Sequence, residues 1–343
     1  MKLVLDAAAG DFGLSPNIEG AIQAANELGV QLLLVGPAAE VSSQLNSRGV
    51  ASGDQRFEVI DAPDVIGMGE DPVAACRAKP RSSVMVSAEL VASGRAEGLI
   101  SIGNSGATMV AALWHLKRLP GVLRPAIAVA VPTERGMTLL LDGGANTECK
   151  PWHLLQFAVM GTIYAQRVMG VAKPKVGVLS VGEEDSKGND LVREAIPLLR
   201  AAPVAFHGAV EGRDLAAGTV DVVVCDGFTG NIAVKLIEGT ASAIFSFLKA
   251  EIHSGPLNKL GGLLLRGAFA RLKKRMSYDE YGGAPLLGVG GTVIIAHGKS
   301  NAKAVANAIR TAKRLIETGV NEAIKSSIEQ MKVNLESPKI QIS

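Results

Sequence analysis

Residues 220–235 read VDVVVCDGFTGNIAVK, an apolar run that ends in a Gly-rich turn and continues with helical spacing. The run predicts a buried strand over residues 220–226, and the turn leads into a predicted helix over residues 228–252. A strand that is followed directly by a helix is the repeating unit of α/β proteins. This stretch therefore decides the class of fold that we expect.

The same order of apolar run, polar turn and helix recurs along the chain. Residues 2–6, 31–36, 98–102, 126–131, 137–142, 175–181 and 292–296 read as strands, and residues 16–28, 105–116, 151–169 and 301–329 read as helices. Ser15 is the expected N-cap of the helix at 16–28. Alternating strands and helices predict a Rossmann-like, mostly parallel sheet with helices on both faces. We expect one α/β domain over residues 1–335.

The composition excludes several classes of protein. The chain has 343 residues, a formal net charge of +2 and three cysteines without CxxC spacing, Cys76, Cys149 and Cys225. We therefore expect no nucleic-acid partner, no disulfide framework and no zinc site, in a reducing cytosol. The first residues lack a signal-peptide core, and no apolar run reaches the roughly 18 residues of a membrane-spanning helix. The predicted location is cytoplasmic.

Residues 254–280 interrupt the alternation and read as an amphipathic helical excursion from the domain. The apolar residues of this segment follow a helical period: Leu257, Leu260, Leu264, Leu265, Phe269 and Leu272. Its basic residues are Arg266, Arg271, Lys273, Lys274 and Arg275. Gly261 and Gly262 are expected to form a hinge between two short helices.

Five polar, Gly-rich turns follow predicted strands, at residues 6–13, 103–106, 142–150, 183–189 and 226–231. In an open α/β sheet, ligands bind at the carboxyl ends of the strands. Glycine lets backbone N–H groups approach an anion closely, and a helix N-terminus adds its partial positive charge. The turns together predict an anion site, although each turn alone is also an ordinary helix start.

The sequence lacks the usual fingerprints of other enzyme classes. It contains no GxGxxG after a strand, no GxxxxGK[ST], no GxSxG and no HExxH. No histidine lies beside a cysteine as an obvious local partner, so no protein nucleophile is evident. His115, His153 and His207 are expected to be helix-face or strand-end residues.

Nine blocks of the sequence resemble the bacterial phosphate acyltransferase family and cover nearly the whole chain. They are LDAAAGDFG, SIGNSGA, RPAIA, LDGGANTECKPWHLLQFAVMG, VGVLSVGEEDSKGN, VEGRDL, VDVVVCDGFTGNIAVK, YGGAPLLGVGG and AHGKSNAKA. The chain departs from the family at two places. Ala8 and Ala9 stand in a first turn that reads DAMGGD in the family, and Gly290 replaces an Asn.

The resemblance implies transfer of an acyl group from acyl carrier protein (ACP) to inorganic phosphate, an early step of bacterial phospholipid synthesis. It also implies a homodimer, a fold related to isopropylmalate dehydrogenases and phosphotransacetylases, and no metal or organic cofactor. The acyl-phosphate product would pass to a membrane glycerol-phosphate acyltransferase. We therefore expect a cytoplasmic protein that contacts the inner face of the cell membrane peripherally.

Phosphate is already a nucleophile, so we expect it to attack the thioester directly, from about 3–3.5 Å. The predicted catalytic residues are Lys187, Asn231 and Asp226. The predicted phosphate- and substrate-binding residues are Asp11, Asn104, Ser105, Gly106, Asn146, Gly188, Asn189 and Gly230. Lys187 would hold phosphate or protonate the leaving thiolate, and its alternative role is that of a solvated loop lysine. Helix capping is the alternative for Asn104, Asn231 and Asp226.

The excursion supplies the expected contacts with ACP or a membrane. These contacts are Leu264, Leu265, Arg266, Phe269, Arg271, Lys273 and Lys274. The basic residues would dock the acidic ACP, and the apolar residues would enter a lipid surface. Docking, membrane binding and dimer packing remain three alternatives at this point, and the sequence does not choose a length of acyl chain.

Two other functions compete with acyl transfer. A nicotinamide-dependent dehydrogenase of the related fold would also lack GxGxxG, but it needs an Arg-rich hydroxyacid site and Asp ligands for a divalent metal, and no matching cluster is evident. A membrane-recruited scaffold that binds ACP without turnover is the alternative that is not an enzyme. The intact SKGN and DGFTGN turns argue against the scaffold.

Overall fold

The computed structural model describes residues 1–276, 280 and 282–336, with side chains as far as residue 331. Residues 277–279 of the predicted excursion, and residue 281 of the YGGAPLLGVGG block, lie outside the described residues. The strands are β1 Lys2–Asp6, β2 Gln31–Gly36, β3 Phe57–Asp61, β4 Gly98–Ser101, β5 Ala126–Ile127, β6 Val129–Thr133, β7 Gly136–Leu141, β8 Lys175–Leu179, β9 Ala205–Val210, β10 Val222–Val224, β11 Ala284–Leu287 and β12 Thr292–Ile295.

Helices connect most of these strands. They are α1 Leu14–Leu28, α2 Ala38–Ser47, α3 Pro72–Ala78, α4 Ser83–Ala92, α5 Ser105–His115, α6 Pro151–Tyr164, α7 Asp190–Ala201, α8 Gly212–Ala217, α9 Gly227–His253, α10 Pro256–Leu264, α11 Arg266–Met276, α12 Ala302–Glu317 and α13 Val320–Glu336. The strand–turn–helix units predicted around β1, β4 and β10 are confirmed. The sequence predicted no elements where β3, α2, α3, α4, β9, α8 and β11 lie. The helix start expected at the SKGN turn is confirmed as the beginning of α7.

The described strands form two sheets, where the sequence predicted one. The first has seven strands in the order β3-β2-β1-β4-β12-β11-β5, and the second has five in the order β6-β7-β10-β8-β9. Pairing is parallel except for β11 with its two neighbours and β6 with β7. The mostly parallel α/β class is thus confirmed.

The strand predicted over residues 126–131 is wrong as a single element. It is divided at Ala128, so that β5 pairs with β11 in the first sheet and β6 pairs with β7 in the second. The backbone N–H of Gly143, directly after β7, donates to the carbonyl of Ile127 at 2.8 Å. The chain therefore passes from one sheet to the other beside the end of β7.

Helices cover both faces of the first sheet. Leu3 and Leu5 of β1 pack into one apolar cluster with Ile18 of α1 and Val305 of α12. Val4, between them, packs into a second cluster on the opposite face that contains residues of α4 and α5. This alternation follows from the two-residue period of a strand and confirms the predicted burial on both faces.

Several predicted helix ends differ from the structure. The N-cap of α1 is Gly13, with φ 64°, and not Ser15. Two helices replace the one predicted over residues 301–329, because Gly319 adopts a left-handed φ of 61° between α12 and α13. The helix predicted over 151–169 is α6 up to Tyr164 and then a π-helical turn, Ala165–Met169.

The predicted excursion follows the 27-residue helix α9. By length and hydropathy, α9 is the one helix among the described residues that is long and apolar enough to cross a membrane, although the sequence predicted none. Its first turns pack against the second sheet through Ala233, Val234 and Ile237. We define the arm as residues 239–276, the outer half of α9 with α10 and α11.

The predicted hinge at Gly261 and Gly262 is wrong. Both glycines lie inside α10, and the break between α10 and α11 falls at Leu265. A Cβ on Gly262 would lie 2.5 Å from a side-chain carbon of Ile252, so this glycine lets α10 pack closely against α9. No residue of α10 or α11 is buried.

Candidate active site

A cleft of about 800 Å³ lies where the two sheets, α9 and α11 meet. The first sheet contributes Ile127 and Ile295, the second contributes residues 129–132 of β6, and the arm contributes residues such as Phe245 and Met276. This volume is in the range of small-molecule sites, which are commonly apolar with a few placed polar groups. The cleft is therefore the candidate substrate site.

One face of α9 forms a long wall of the cleft. Its apolar lining residues are Val234, Ile237, Ala241 and Phe245, spaced at three or four residues as one helical face requires. Phe245 lies 14 positions after Asn231, which corresponds to about 21 Å of helix at 1.5 Å per residue. This wall suits a linear apolar ligand.

Polar groups lie among the carboxyl-end turns that border the cleft. They belong to Ser105, Gly144, Asn231, His297 and Ser300. A Cβ on Gly144 would lie 3.4 Å from the side chain of Asn231, so the backbone of this turn directly adjoins the predicted catalytic amide. Ser105 is the first residue of α5, where backbone N–H groups and the helix dipole favour an anion. Of the predicted site residues, Ser105, Asn231 and Lys273 line the cleft.

Asp142 organises the turn that contains Gly144. Its side chain is fully buried and accepts five hydrogen bonds of 2.7–3.1 Å, from the backbone of Ile127, Gly144, Ala145 and Asn146 and from the Asn146 side chain. Burial raises the pKa of Asp142, and these hydrogen bonds oppose the rise. Because Ile127 belongs to the first sheet and Asp142 follows β7, the carboxylate ties the sheets together below the cleft.

Asn146 and Gly230, both predicted to bind phosphate, complete this packing. The Asn146 amide donates to the Pro125 carbonyl at 2.7 Å and to Asp142 at 2.8 Å, which engages both of its donors. A Cβ on Gly230 would lie 2.0 Å from the carbonyl oxygen of Asp142. Neither residue lines the cleft, and both hold α9 against the 142–150 turn.

Asn104 lies at the start of α5 with its side chain fully engaged. Its Oδ1 accepts from the Ala107 N–H at 3.1 Å, and its Nδ2 lies 3.1–3.4 Å from the carbonyl oxygens of Gly67, Met68 and Glu70. The capping alternative for Asn104 is thus the geometry observed. The neighbouring Gly106 packs against Pro72, where a Cβ would lie 2.4 Å from the proline ring.

Asp6 is a buried acid that the sequence did not select. Its Oδ2 accepts from the Ser101 hydroxyl at 2.8 Å, and its Oδ1 has no partner among the described residues. It borders a cavity of about 10 Å³, enough for one water molecule. Burial, opposed by hydrogen bonds from serine hydroxyls, raises the pKa of Asp6 from 3.8 to about 6.

The rest of the first turn has ordinary geometry despite its alanines. Among the described residues other than glycine, only Lys117 has a positive φ, so Ala9 is not strained. The backbone N–H of the predicted phosphate ligand Asp11 donates to the Gly298 carbonyl at 2.8 Å, and its side chain is exposed. Gly10, with φ 96°, allows this close approach because a Cβ there would lie 2.9 Å from Ile102.

The loop after β8 carries Lys187, which is exposed and does not line the cleft. Its backbone N–H donates to the Glu184 carbonyl at 2.9 Å. Asn189 caps α7 by accepting from the Val192 N–H at 3.0 Å, and Gly188 adopts a φ of 91°. Because β8 and β10 are parallel neighbours, this loop starts about 4.8 Å from the turn that begins at Asp226.

Asp226 caps α9. Its carboxylate accepts from the Thr229 N–H at 2.9 Å and from the Thr229 hydroxyl at 2.7 Å. The capping alternative is again observed, and Asp226 holds the first turn of the helix on which Asn231 lies. Asn231 itself is in the second turn, exposed to the cleft, and does not cap.

Two thiols lie close to these turns. Burial, with the nearby carboxylates of Asp142 and Asp226, raises the pKa of Cys149 to about 12. The same causes raise the pKa of Cys225 well above its usual range. Since the thiolate is the nucleophilic form, neither cysteine is activated for attack at neutral pH.

The sequence missed Lys235 and Glu238, and it assigned Lys273 to a partner contact when it lines the cleft. Lys235 lies one turn beyond Asn231 on the same face of α9, so helical spacing from Asn231 was the available signal. Lys273 reaches the cleft because α11 folds back toward β6, where Arg275 donates to the carbonyls of Thr133 and Glu134. The described residues gather no group of three or more His, Cys, Asp or Glu side chains that could hold a metal ion.

Comparison with known proteins gives sequence relatives along most of the chain. The family model described as "Fatty acid synthesis protein" matches residues 1–323. A phosphate acyltransferase of Elusimicrobium minutum is 54% identical over 332 residues, which cover 97% of each chain. A phosphate acyltransferase of Geobacter sulfurreducens is 47% identical over 329 residues, which cover 96% of this chain and 94% of that protein.

Solved structures share the fold at much lower identity. A phosphotransacetylase from Streptococcus pyogenes superposes with a TM-score of 0.59 at 18% identity, covering 96% of this chain and 94% of that one. A 4-hydroxythreonine-4-phosphate dehydrogenase from Klebsiella pneumoniae gives a TM-score of 0.54 at 15% identity, covering 92% and 99%. These two similarities concern the architecture of the backbone.

Proposed function

Since the chain belongs to the fatty acid synthesis protein family and its relatives are phosphate acyltransferases, we propose that it transfers a fatty-acyl group from ACP to inorganic phosphate. The products are acyl-phosphate and free carrier protein, at an early step of phospholipid synthesis. The observation that carries this proposal within the structure is the cleft, which joins an apolar wall to a border of backbone and amide donors. An acyl-phosphate has the same two parts.

The apolar wall would hold the acyl chain. An extended hydrocarbon with C–C bonds of about 1.5 Å advances roughly 1.25 Å per carbon, so a wall of about 21 Å fits some 16 carbons. Val234, Ile237, Ala241 and Phe245 line the wall in this order from Asn231 outward. We therefore propose a long-chain acyl substrate with its thioester carbon near Asn231.

The polar border would hold phosphate and the reacting carbonyl. The N-terminus of α5 at Ser105 and the backbone at Gly144 lie on the border of the cleft, and Asn231 adds an amide donor. In our mechanism a phosphate oxygen attacks the thioester carbon, and the carbonyl electrons move to an oxyanion that Asn231 stabilises. The carbon–sulfur bond then breaks, and the pantetheine thiolate leaves.

No protein nucleophile enters this mechanism. The two thiols near these turns, Cys149 and Cys225, are kept protonated by burial and by neighbouring carboxylates. The leaving thiolate needs little help because free thiols have a pKa near about 8.5. Direct attack by phosphate therefore requires only positioning and charge stabilisation.

Lys187 remains the proposed residue that neutralises phosphate or protonates the leaving thiolate. Its ammonium group is exposed on the loop that follows β8, the neighbour of the strand leading to Asp226. Lys235 is the second cationic candidate, because it already lines the cleft. Asp226 would act through the helix start that it caps.

The arm suits peripheral contact with the inner face of the cell membrane. Its exposed apolar residues include Leu264 at 79% exposure and Leu265 at 53%, and Lys274 follows on α11. An exposed apolar and basic surface is typical of interfacial helices. Such contact would place the acyl-phosphate near a membrane glycerol-phosphate acyltransferase. A homodimer and a cytoplasmic location are also part of the proposal.

Release of the ACP thiol tests the proposal. Purified protein, palmitoyl-ACP and phosphate are mixed, and the free thiol is measured against a reaction without phosphate. We expect thiol release only with phosphate, together with an equal amount of acyl-phosphate. A hydroxyacid, a divalent metal and a nicotinamide cofactor form the control reaction. Cofactor reduction there, without phosphate-dependent thiol release, would favour the dehydrogenase.

A further inference from the structure

An exposed basic and apolar surface lies at the start of α6, next to the 142–150 turn. We call it the 124/150 surface, and it consists of Leu123, Arg124, Lys150 and Trp152. Leu123 is 44% exposed and Trp152 is 45% exposed, while Arg124 and Lys150 are exposed cations. Tryptophan and arginine are among the residues most enriched at the energetic centres of protein interfaces.

The apolar part of this surface is held in place by hydrogen bonds beneath it. The backbone N–H of Leu123 donates to the Gln156 Oε1 at 2.8 Å, and the Gln156 amide donates to the Gly121 carbonyl at 2.9 Å. Gln156 is buried and lies one helical turn after Trp152 on the same face of α6. The backbone of Leu123 is thus fixed to α6 one helical turn from Trp152.

The basic part lacks compensating charge. Among the ion pairs formed by the described residues, none includes Arg124 or Lys150. Partial burial, together with both of these cations, lowers the pKa of His153. Glu148 is the acidic residue nearest in sequence to Lys150. An anionic partner would supply the opposite charge that the described ion pairs do not give to Arg124 and Lys150.

The surface lies a short distance along the chain from the lining of the cleft. Three residues after Arg124, Ile127 lines the cleft, and three residues span at most about 10 Å. The charge of Arg124 also lowers the pKa of Cys149, while the charge of Asp226 at the start of α9 raises it, so both charges lie near this thiol. A flexible prosthetic arm that starts at the 124/150 surface would therefore reach Gly144 and Asn231.

We propose that the 124/150 surface docks the acidic carrier protein that delivers the acyl thioester, an inference that rests on the proposed function. Two of the five basic residues of α11, in the arm, are turned toward the cleft or toward β6. Lys273 lines the cleft, and Arg275 is bound to the carbonyls of Thr133 and Glu134. The 124/150 surface combines cations outside any ion pair with a rigid tryptophan, which together match an acidic amphipathic helix.

The experiment reverses the charge of this surface and measures binding apart from turnover. The test variant is Arg124→Glu with Lys150→Glu. The control is Lys173→Glu with Lys325→Glu, which changes two exposed lysines elsewhere and alters the net charge by the same amount. Affinity for unacylated ACP is measured by titration calorimetry. The KM is measured with acyl-ACP and with an acyl-pantetheine thioester that lacks the protein.

We expect the test variant to bind ACP at least about 10-fold more weakly and to raise the KM for acyl-ACP by a similar factor. The reason is that the introduced glutamates would repel the acidic ACP. The kinetics with acyl-pantetheine and both properties of the control should stay unchanged. Trp152→Ala should weaken ACP binding by about 10-fold as well.

Three results would overturn the proposal. They are unchanged ACP binding in the test variant, an equal loss with acyl-pantetheine, and a change in oligomeric state, which would make the surface a contact between copies of this chain. Because ACP binding is measured without phosphate or turnover, its failure is distinguishable from failure of the acyl transfer reaction itself.

Discussion

We call the part of the chain outside the arm the body. The turns at the carboxyl ends of the strands of the body and the helical arm differ in whether their side chains find partners within the chain. In the turns, Asp142 is fully buried and accepts five hydrogen bonds from its own surroundings. In the arm, Phe247, Leu257 and Leu264 are 72–81% exposed. The polar side chains of the turns thus have their partners within the chain, whereas the apolar side chains on the outer face of the arm are exposed and available to a partner outside it.

This difference changes the interpretation of a motif. Asn104, Asn146 and Asp226 belong to Gly-rich turns that indicate an anion site, yet their side chains cap helices or fix the turns themselves. Such residues hold the turns that border the cleft in place. The groups of these turns that line the cleft include the backbone at Ser105 and Gly144 and the side chain of Asn231.

The largest expected effect is on the free energy of unfolding, from one glycine of the body. Gly230→Ala would place a Cβ 2.0 Å from the Asp142 carbonyl oxygen. We expect a loss of about 3 kcal/mol or more, because the backbone of this junction must move.

The matched control for Gly230 lies on the same helix, in the arm. A Cβ on Gly239 would meet no atom within 4 Å, so Gly239→Ala should stabilise the protein by up to about 1 kcal/mol through helix propensity. Urea unfolding of both variants makes the comparison. Equal losses in the two would show that the turns are no more tightly packed than the arm.

The pH dependence of stability tests the buried acid of the body. Asp6 has a folded pKa of about 6 against an ordinary 3.8, so the folded state binds its proton more tightly than the unfolded state. The stability that protonated Asp6 contributes is fully present below the ordinary pKa and is lost as pH rises through about 6. The free energy of unfolding should therefore fall by about 3 kcal/mol across this range.

We therefore expect Asp6→Asn to remove a fall in stability between about pH 4 and 6, measured by urea unfolding across that range. The wild-type protein, measured in the same way, supplies the slope for comparison. If Asp6→Asn also keeps that slope, then Asp6 is not the titrating group.

Lys187 tests whether an exposed residue of the body acts in the reaction. Lys187→Ala should lower kcat by roughly 10²-fold, which is typical for loss of one transition-state donor, while unfolding stays unchanged. Lys173→Ala, at another exposed lysine, is the control. Near-normal turnover would make Lys187 a solvated lysine, and Lys235→Ala would then be the variant expected to lose activity.

The smallest expected effect concerns the outer face of the arm. Leu264→Ala should weaken binding to vesicles of anionic lipid by about 10-fold, because inserting a leucine side chain contributes roughly 1.5–3 kcal/mol. Val181→Ala, at a side chain that is 81% exposed on the body, should leave co-sedimentation unchanged. A Leu264→Ala variant that binds vesicles normally but changes oligomeric state would assign this face to dimer packing.

The fold was predictable where its determinants are local in sequence. The apolar run of β10, the turn at Gly227 and the helical period of α9 all lie within one stretch, and the predicted order is confirmed. The division of the chain into two sheets at Ala128 was not predictable, because it depends on pairing with β11 and β7, which lie elsewhere in the sequence. Residues 126–131 show no polar break that marks the change of sheet.

The turns that border the cleft were predictable from the sequence, and the other residues that line it were less so. Ser105 and Asn231 were selected from their motifs and line the cleft. Lys235 could have been found by its helical spacing from Asn231, whereas Lys273 reaches the cleft only through the direction in which α11 rejoins the rest of the fold, which no local motif encodes. Asp6 escaped selection because its burial depends on packing between strands and helices that are distant in sequence.

Direct attack by phosphate in the cleft is tested most directly by the fate of a labelled acyl group. The protein is mixed with ACP that carries a radiolabelled palmitoyl thioester, with and without phosphate, and the mixture is quenched within one turnover. We predict no label on the denatured protein without phosphate, and with phosphate we predict labelled acyl-phosphate equal to the thiol released. Label that stays covalently bound to the protein in the absence of phosphate would contradict the account.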